Sequence, residues 1–290
     1  MKALLIIPLV LASLLTSHAQ STVKENLQIE SKILKSPVKY SVYLPEGYPS
    51  SKQKYPVLYL LHGYSGDNSD WLHKGNLQRT ADALIKKGKL EPTIIIMPDA
   101  GNCYYLNSAN GKWNYHDMFV KEFVPAIEQL YRIKKENKFR AVAGLSMGGF
   151  GATMLALKNP ELFGQSASMS GVFWTNERLM SLNQKNFDAW FGKMLGTDLA
   201  GEKRINAIWK TFSPLELFSK VPVEQANQQR WYFDCGSSDN LSSVNAKLDS
   251  ILQARGINHK FYTREGHHNW DYWKANLKYV LLFFNQKFAS

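Results

Sequence analysis

Cysteine is scarce. Cys103 and Cys235 are the only two in 290 residues, too few for a fold stapled by disulfides. Both follow predicted strands; if those strands lie several positions apart in one sheet, at about 4.8 Å per strand, the pair is beyond disulfide reach. Two free thiols are therefore expected. Metal-ligand spacings are missing as well: there is no His-Glu-x-x-His, no Cys-x-x-Cys, and only one His-His dipeptide, so no metal is expected. No dinucleotide glycine pattern with its following acid occurs, and no cofactor is expected. Long apolar runs are lacking beyond the first residues, since no later window reaches the roughly 18 uncharged apolar residues of a spanning helix. Basic clusters are lacking too. The formal charge is +11, but the lysines are scattered, with short pairs such as Lys86-Lys87 and Lys134-Lys135. That distribution argues against nucleic acid and for solubility with attraction to anionic envelope polymers.

What is present is ordinary globular composition, 44% hydrophobic and 20% charged, which excludes disordered, collagen-like and coiled-coil proteins. Lys2, the apolar run Ala3 to Leu15 and then Ser17-His18-Ala19 have the three parts of a secretory signal. Residues 1–19 are expected to be removed and 20–290 to form one domain of a secreted or periplasmic protein without stable membrane insertion.

Asn26 to Lys35 and Val38 to Leu44 read as an opening antiparallel pair. Short apolar runs recur at Pro56 to Leu61, Thr93 to Met97, Arg140 to Leu145, Gln165 to Met169, Gln229 to Phe233 and Asn258 to Thr263. Helical patterns separate most of them: Trp71 to Lys87, Asp117 to Tyr131, Gly148 to Lys158, Ser242 to Arg255 and Trp270 to Lys287. Apolar strands alternating with amphipathic helices predict an α/β fold, a mainly parallel sheet of about eight strands covered on both faces. Phe173 to Lys220 is too long for a simple crossover and rich in aromatics. It reads as a helical insertion over the sheet edge, its aromatics divided between a satellite core and a substrate pocket.

Gly144-Leu145-Ser146-Met147-Gly148 sits where a strand runs into a helix. A tight turn there lifts the Ser146 hydroxyl above the carboxyl edge of the sheet, and glycines two before and two after avoid collision. Ser146 is thus the expected nucleophile, and the backbone N–H of Met147 an oxyanion donor. The second donor is expected from the loop after an earlier strand, at Tyr64 in His62-Gly63-Tyr64. His62 is expected to brace that loop by hydrogen bonding. A phosphate loop is excluded because its lysine is missing.

With this nucleophile turn the acid and then the histidine follow the serine along the chain. That leaves His259, which falls at the start of a strand and remote from its carboxyl end, and the adjacent pair His267 and His268, between which the choice lies because only one can face the serine. The acid is Asp239, on the loop beyond the strand, or Asp234, at the strand's end and expected to bond loop backbone groups. Asp239 is better placed to fix the imidazole tautomer and stabilise the imidazolium.

Four blocks in order, Leu61-His62-Gly63-Tyr64-Ser65-Gly66, Ala143-Gly144-Leu145-Ser146-Met147-Gly148-Gly149, Asp234-Cys235-Gly236-Ser237-Ser238-Asp239 and Gly266-His267-His268-Asn269-Trp270-Asp271-Tyr272-Trp273, resemble the esterase D group of α/β-hydrolases. That group includes feruloyl and acetyl-xylan esterases, S-formylglutathione hydrolases and mycolyltransferases. The resemblance covers nearly all of the chain after the leader. It implies the α/β-hydrolase fold and ester hydrolysis through an acyl-Ser146 intermediate. Its Gly-x-His-x-Trp-x-x-Trp ending falls on Gly266, His268, Trp270 and Trp273, and its Cys-Gly-x-x-Asp block puts the acid at Asp239. The expected substrate is a small-molecule or polysaccharide-linked ester, feruloyl or acetyl, with Phe173, Trp174 and Trp270 as pocket candidates. Two other readings are an acyltransferase of the mycolyltransferase type and a non-catalytic carbohydrate-binding module on a hydrolase scaffold. An intact serine, acid and histidine set argues against the second.

Overall fold

The computed structural model describes residues 20–288; the expected leader, residues 1–19, lies outside the described residues. Eight strands form one sheet: β1 (Thr22–Ser31), β2 (Ser36–Leu44), β3 (Val57–Leu61), β4 (Ile94–Pro98), β5 (Arg140–Leu145), β6 (Gln165–Met169), β7 (Arg230–Gly236) and β8 (His259–Arg264). Their spatial order is β1-β2-β4-β3-β5-β6-β7-β8. The opening hairpin pairs antiparallel, β2 joins β4 antiparallel, and every later pairing is parallel. This is the α/β-hydrolase fold expected from the sequence.

The inner strands β3 to β6 are buried along their whole length, as strands covered on both faces must be. Alternate side chains feed two cores. Val57, Tyr59, Leu61, Val142 and Phe233 face one, with α2 (Met147–Lys158) and α3 (Ser242–Arg255) packed over it. Leu58, Leu60, Ala143, Leu145 and Tyr232 face the other, covered by α1 (Leu77–Lys86) and α4 (Trp270–Phe288). Parallel strands joined through helices bring their carboxyl ends to one edge, where the connecting loops meet.

The expected helical insertion is a series of short helices between Asn176 and Lys220, interrupted by single turns. Helix Pro214–Lys220 packs on α2 and α3, and Tyr104, beyond β4, stacks on Phe191; the segment therefore packs on the side of the sheet that α2 and α3 cover and reaches the loop at the carboxyl end of β4. The cause is its aromatic content, since Phe173, Phe187, Phe191, Trp209 and Phe212 join the core that α2 and α3 already close. Arg204 ties the segment together. Its buried guanidinium donates to the carbonyls of Leu199, Leu179, Met180 and Leu182 and lies 4.2 Å from the Phe187 ring centroid.

Cys103 and Cys235 are free and buried. Cys235 lies within β7, four positions from β4 in the sheet, so the distance argument applies, although the thiol stands inside its strand and not after it.

Candidate active site

Ser146 occupies the turn between β5 and α2 with φ 53° and ψ −116°, a backbone conformation costly to a side-chain-bearing residue and held only by its surroundings. Its N–H donates to Met169 at 2.9 Å, and its carbonyl accepts from Phe150 at 3.0 Å and Val172 at 3.2 Å. The flanking glycines are sterically required. A Cβ on Gly144 would stand 2.4 Å from the Gly148 carbonyl carbon, and one on Gly148 would stand 2.6 Å from the carbonyl oxygens of Leu61 and His62. The turn thus presses against the end of β3, and a Cβ on Gly63 would come within 3.6 Å of the Ser146 Cβ.

The loop that carries Tyr64 is braced from several sides. His62, 1% exposed, donates from Nδ1 to the Gly63 carbonyl at 2.7 Å and accepts at Nε2 from the Ala100 N–H at 2.9 Å. The Gly63 carbonyl also accepts from Gly66 N–H at 3.1 Å, and Ser65 N–H donates to Asn102. Because a peptide is planar, fixing the Gly63 carbonyl fixes the direction of the Tyr64 N–H. Burial pushes the nearby Asp99 carboxyl up, but the proximity of the His62 imidazole and the hydrogen bond from Gly101 N–H outweigh it and hold the group below its usual range.

His268 follows β8 on the loop before α4. Its Nε2 lies 2.9 Å from Ser146 Oγ and its Nδ1 lies 2.9 Å from Asp239 Oδ2. The neutral tautomer with its proton on Nδ1 satisfies both contacts: Nδ1–H donates to the carboxylate and the serine hydroxyl donates to Nε2. Asp239, 3% exposed, also accepts from Leu241 N–H at Oδ1. Burial raises its pKa, but the bonds from His268 and Leu241 and the His268 charge prevail, and the carboxyl sits below the usual range. The two loops are stitched to each other through Ser238 N–H to the Gly266 carbonyl at 2.9 Å. Gly236 is glycine because a Cβ there would meet that same carbonyl oxygen at 2.4 Å.

The other candidates are placed elsewhere. His267 is exposed. His259, at the start of β8, is bound to Asp249 and the Ile257 carbonyl. Asp234 lies inside β7 and is fully buried; in place of loop backbone groups it accepts from the hydroxyls of Tyr232 and Tyr272 and from Arg264.

Among the pocket candidates, Phe173 is a core residue, 1% exposed and edge-on to Phe233. Trp174 packs on Phe191 and Trp190 and lines a cavity of about 270 Å³ with Asn176, Glu177, Ser213 and Lys247. Trp270 is half-buried on the opposite face of the sheet's rim, between Trp71 and Trp273. The three do not converge. Tyr64 is connected through Tyr104 to Phe191, with ring centroids 6.3 Å from Tyr64 to Tyr104 and 5.4 Å from Tyr104 to Phe191. Tyr104 carried no motif, and its proximity to Tyr64 depends on strand order, which local patterning does not encode. Among the described residues no three His, Cys, Asp or Glu side chains gather as a metal site, and no helix is long and apolar enough to cross a membrane.

The Esterase family model matches residues 31–284. An endo-1,4-beta-xylanase/feruloyl esterase of Xylanibacter ruminicola is 32% identical over 146 residues, 48% of this chain and 20% of its own length. The chain thus spans about a fifth of that relative. An acetyl esterase of Caldicellulosiruptor saccharolyticus is 25% identical over 264 residues, 86% of this chain and 92% of the relative. A solved ferulic acid esterase superposes with a TM-score of 0.78 at 30% identity, over 93% of this chain and 99% of that one.

Proposed function

The chain belongs to the Esterase family, and from that premise we propose that it hydrolyses carboxylic esters through an acyl-serine intermediate, with feruloyl or acetyl esters of polysaccharides as its substrate class. The observation that carries the mechanism is the continuous chain of hydrogen bonds from Ser146 Oγ through His268 to Asp239, with both heavy-atom distances 2.9 Å. In it, Ser146 attacks the ester carbonyl while His268 takes its proton; Asp239 holds the tautomer and stabilises the imidazolium. The backbone N–H groups of Tyr64 and Met147 receive the oxyanion. His268 then returns its proton to the leaving alcohol and activates the water that releases the acid. The substrate class rests on the feruloyl and acetyl esterases among its relatives, and the leader-like first residues support export.

Hydrolysis of p-nitrophenyl acetate, butyrate and octanoate, methyl ferulate and acetylated xylan tests the proposal. Wild type is expected to cleave methyl ferulate or acetylated xylan, and Ser146→Ala to lose on the order of 10⁶-fold in kcat. A Ser146→Ala enzyme with near-normal turnover would sink the mechanism, and activity confined to the octanoate would sink the substrate class. His268→Ala should match Ser146→Ala, whereas His267→Ala should keep a substantial part of turnover.

A further inference from the structure

His268 stands midway along a short loop. Arg264, the last residue of β8, and Tyr272, in the first turn of α4, lie four residues to either side of it. Both reach the same side chain outside the loop, Asp234 of β7. Arg264 donates from Nη1 to Asp234 Oδ2 at 3.3 Å, and the Tyr272 hydroxyl donates to Oδ1 at 3.2 Å. The parallel register makes this possible: Asp234 pairs with Tyr262 and Gly236 with Arg264, so Asp234 and Arg264 share one face of the sheet. A third donor, the Tyr232 hydroxyl, bonds Oδ2 at 2.8 Å but comes from the strand that carries Asp234 itself.

Each of the two ties is braced. The Arg264 guanidinium lies 4.5 Å from the Tyr262 ring centroid and 4.4 Å from that of Tyr279 on α4. The Tyr272 ring lies where a Cβ on Gly266 would approach it to 2.5 Å, and the Tyr272 N–H donates to Asn269 Oδ1 at 3.1 Å. Trp273, the next residue, meets the His268 ring edge-on with centroids 5.0 Å apart. Asp234 is fixed in turn by its backbone, whose carbonyl accepts from Ser170 N–H at 2.7 Å. A fully buried carboxyl is costly even when bonded, and an apolar side chain of similar volume often serves stability as well or better. Stability alone therefore does not account for Asp234.

Resting on the reading of Ser146, His268 and Asp239 given above, we propose that Asp234 is a positioning residue for the histidine: its two carboxyl oxygens clamp both ends of the His268 loop to the strand that leads into the Asp239 loop. Asp234 bonds neither His268 nor Ser146, and it acts through Arg264 and Tyr272. The clamp sets one loop against the other, so that the imidazole stays in line between the carboxylate of Asp239 and the hydroxyl of Ser146.

The test uses the full-length enzyme, p-nitrophenyl acetate, and the variants Tyr272→Phe, Arg264→Met and Tyr232→Phe. Tyr272→Phe keeps the ring against Gly266 and removes only the donor, while Arg264→Met keeps an unbranched side chain without the charge. Each is expected to lose about tenfold in kcat, the scale of one hydrogen bond to a charged group, with KM within about twofold. Tyr232→Phe takes a donor from the same carboxyl but leaves both ends of the loop tied. Its melting temperature should fall about as far as that of Tyr272→Phe, with kcat within about twofold of wild type. A kcat within about twofold of wild type in Tyr272→Phe or in Arg264→Met would overturn the clamp. A tenfold loss of kcat in Tyr232→Phe would overturn it too, since any weakening of β7 would then slow the enzyme. Retained turnover in Ser146→Ala would instead bring down the underlying site, so the two failures are distinguishable.

Discussion

Asp234 and Asp239 leave the same strand and end in opposite electrostatic situations. Asp239 keeps its charge through His268 and backbone donors, whereas burial inside β7 raises Asp234 from 3.8 to about 7, against the hydrogen bonds of Tyr232 and Tyr272 and the Arg264 charge. A carboxyl raised on folding binds its proton more tightly in the native state, so the stability it contributes is present below the unfolded value and lost as pH rises through about 7. Asp234→Asn cannot ionise and offers one acceptor oxygen to three donors. It should be less stable than the parent at pH 5, and that deficit should shrink toward pH 8, as thermal melts across the range would show. At this scale the sequence was informative where a side chain's role follows from chain order, as for Ser146, and weaker where two like residues stand close together. His267 and His268 differ only in which way a turn throws them.

Elements were legible to the extent that local patterning decides them. Gln165–Met169 and Ser242–Arg255 have the bounds expected from the sequence. Trp71 to Lys87, by contrast, is a single turn at Asp70–His73 followed by α1. The break falls at Gly75, which lies against Trp71, and at Asn76, whose φ is +54°. Asp117 to Tyr131 starts two residues earlier, at Tyr115, and passes through a wider π turn at Phe119–Phe123, which a 3.6-residue period does not reveal. Strand β7 runs on to Gly236 because β8 pairs with it as far as Arg264. The serine turn yields the firmest prediction here. Gly148→Ala drives a methyl into two carbonyl oxygens at 2.6 Å, and backbone cannot step aside as a flexible side chain would. A loss on the order of 3 kcal/mol or more is expected in denaturant melts, with esterase activity falling further than stability, since the same shift moves Ser146.

Across the whole molecule, the strands could be recognised one by one, but their order could not. The sheet runs β4-β3-β5 because β4 inserts between the opening hairpin and β3, a choice made by packing of both faces at once. That order keeps Cys103 and Cys235 apart. A thiol reagent should leave both unmodified in the native protein and label both after denaturation, and reductant should not alter the melting temperature; a shift on reduction would contradict the separation.

The Arg204 tie sets a boundary inside the fold. Four carbonyl oxygens from two stretches of the chain converge on one guanidinium, so the segment from Leu179 to Arg204, beyond the Val172 contact with Ser146, is tied to itself. Evolution could redraw that covering, lengthening it or exchanging its aromatic rings, without disturbing the anchorage of Ser146, Asp239 or His268. Change in this covering and preservation of the reacting groups would then proceed on separate parts of the polypeptide.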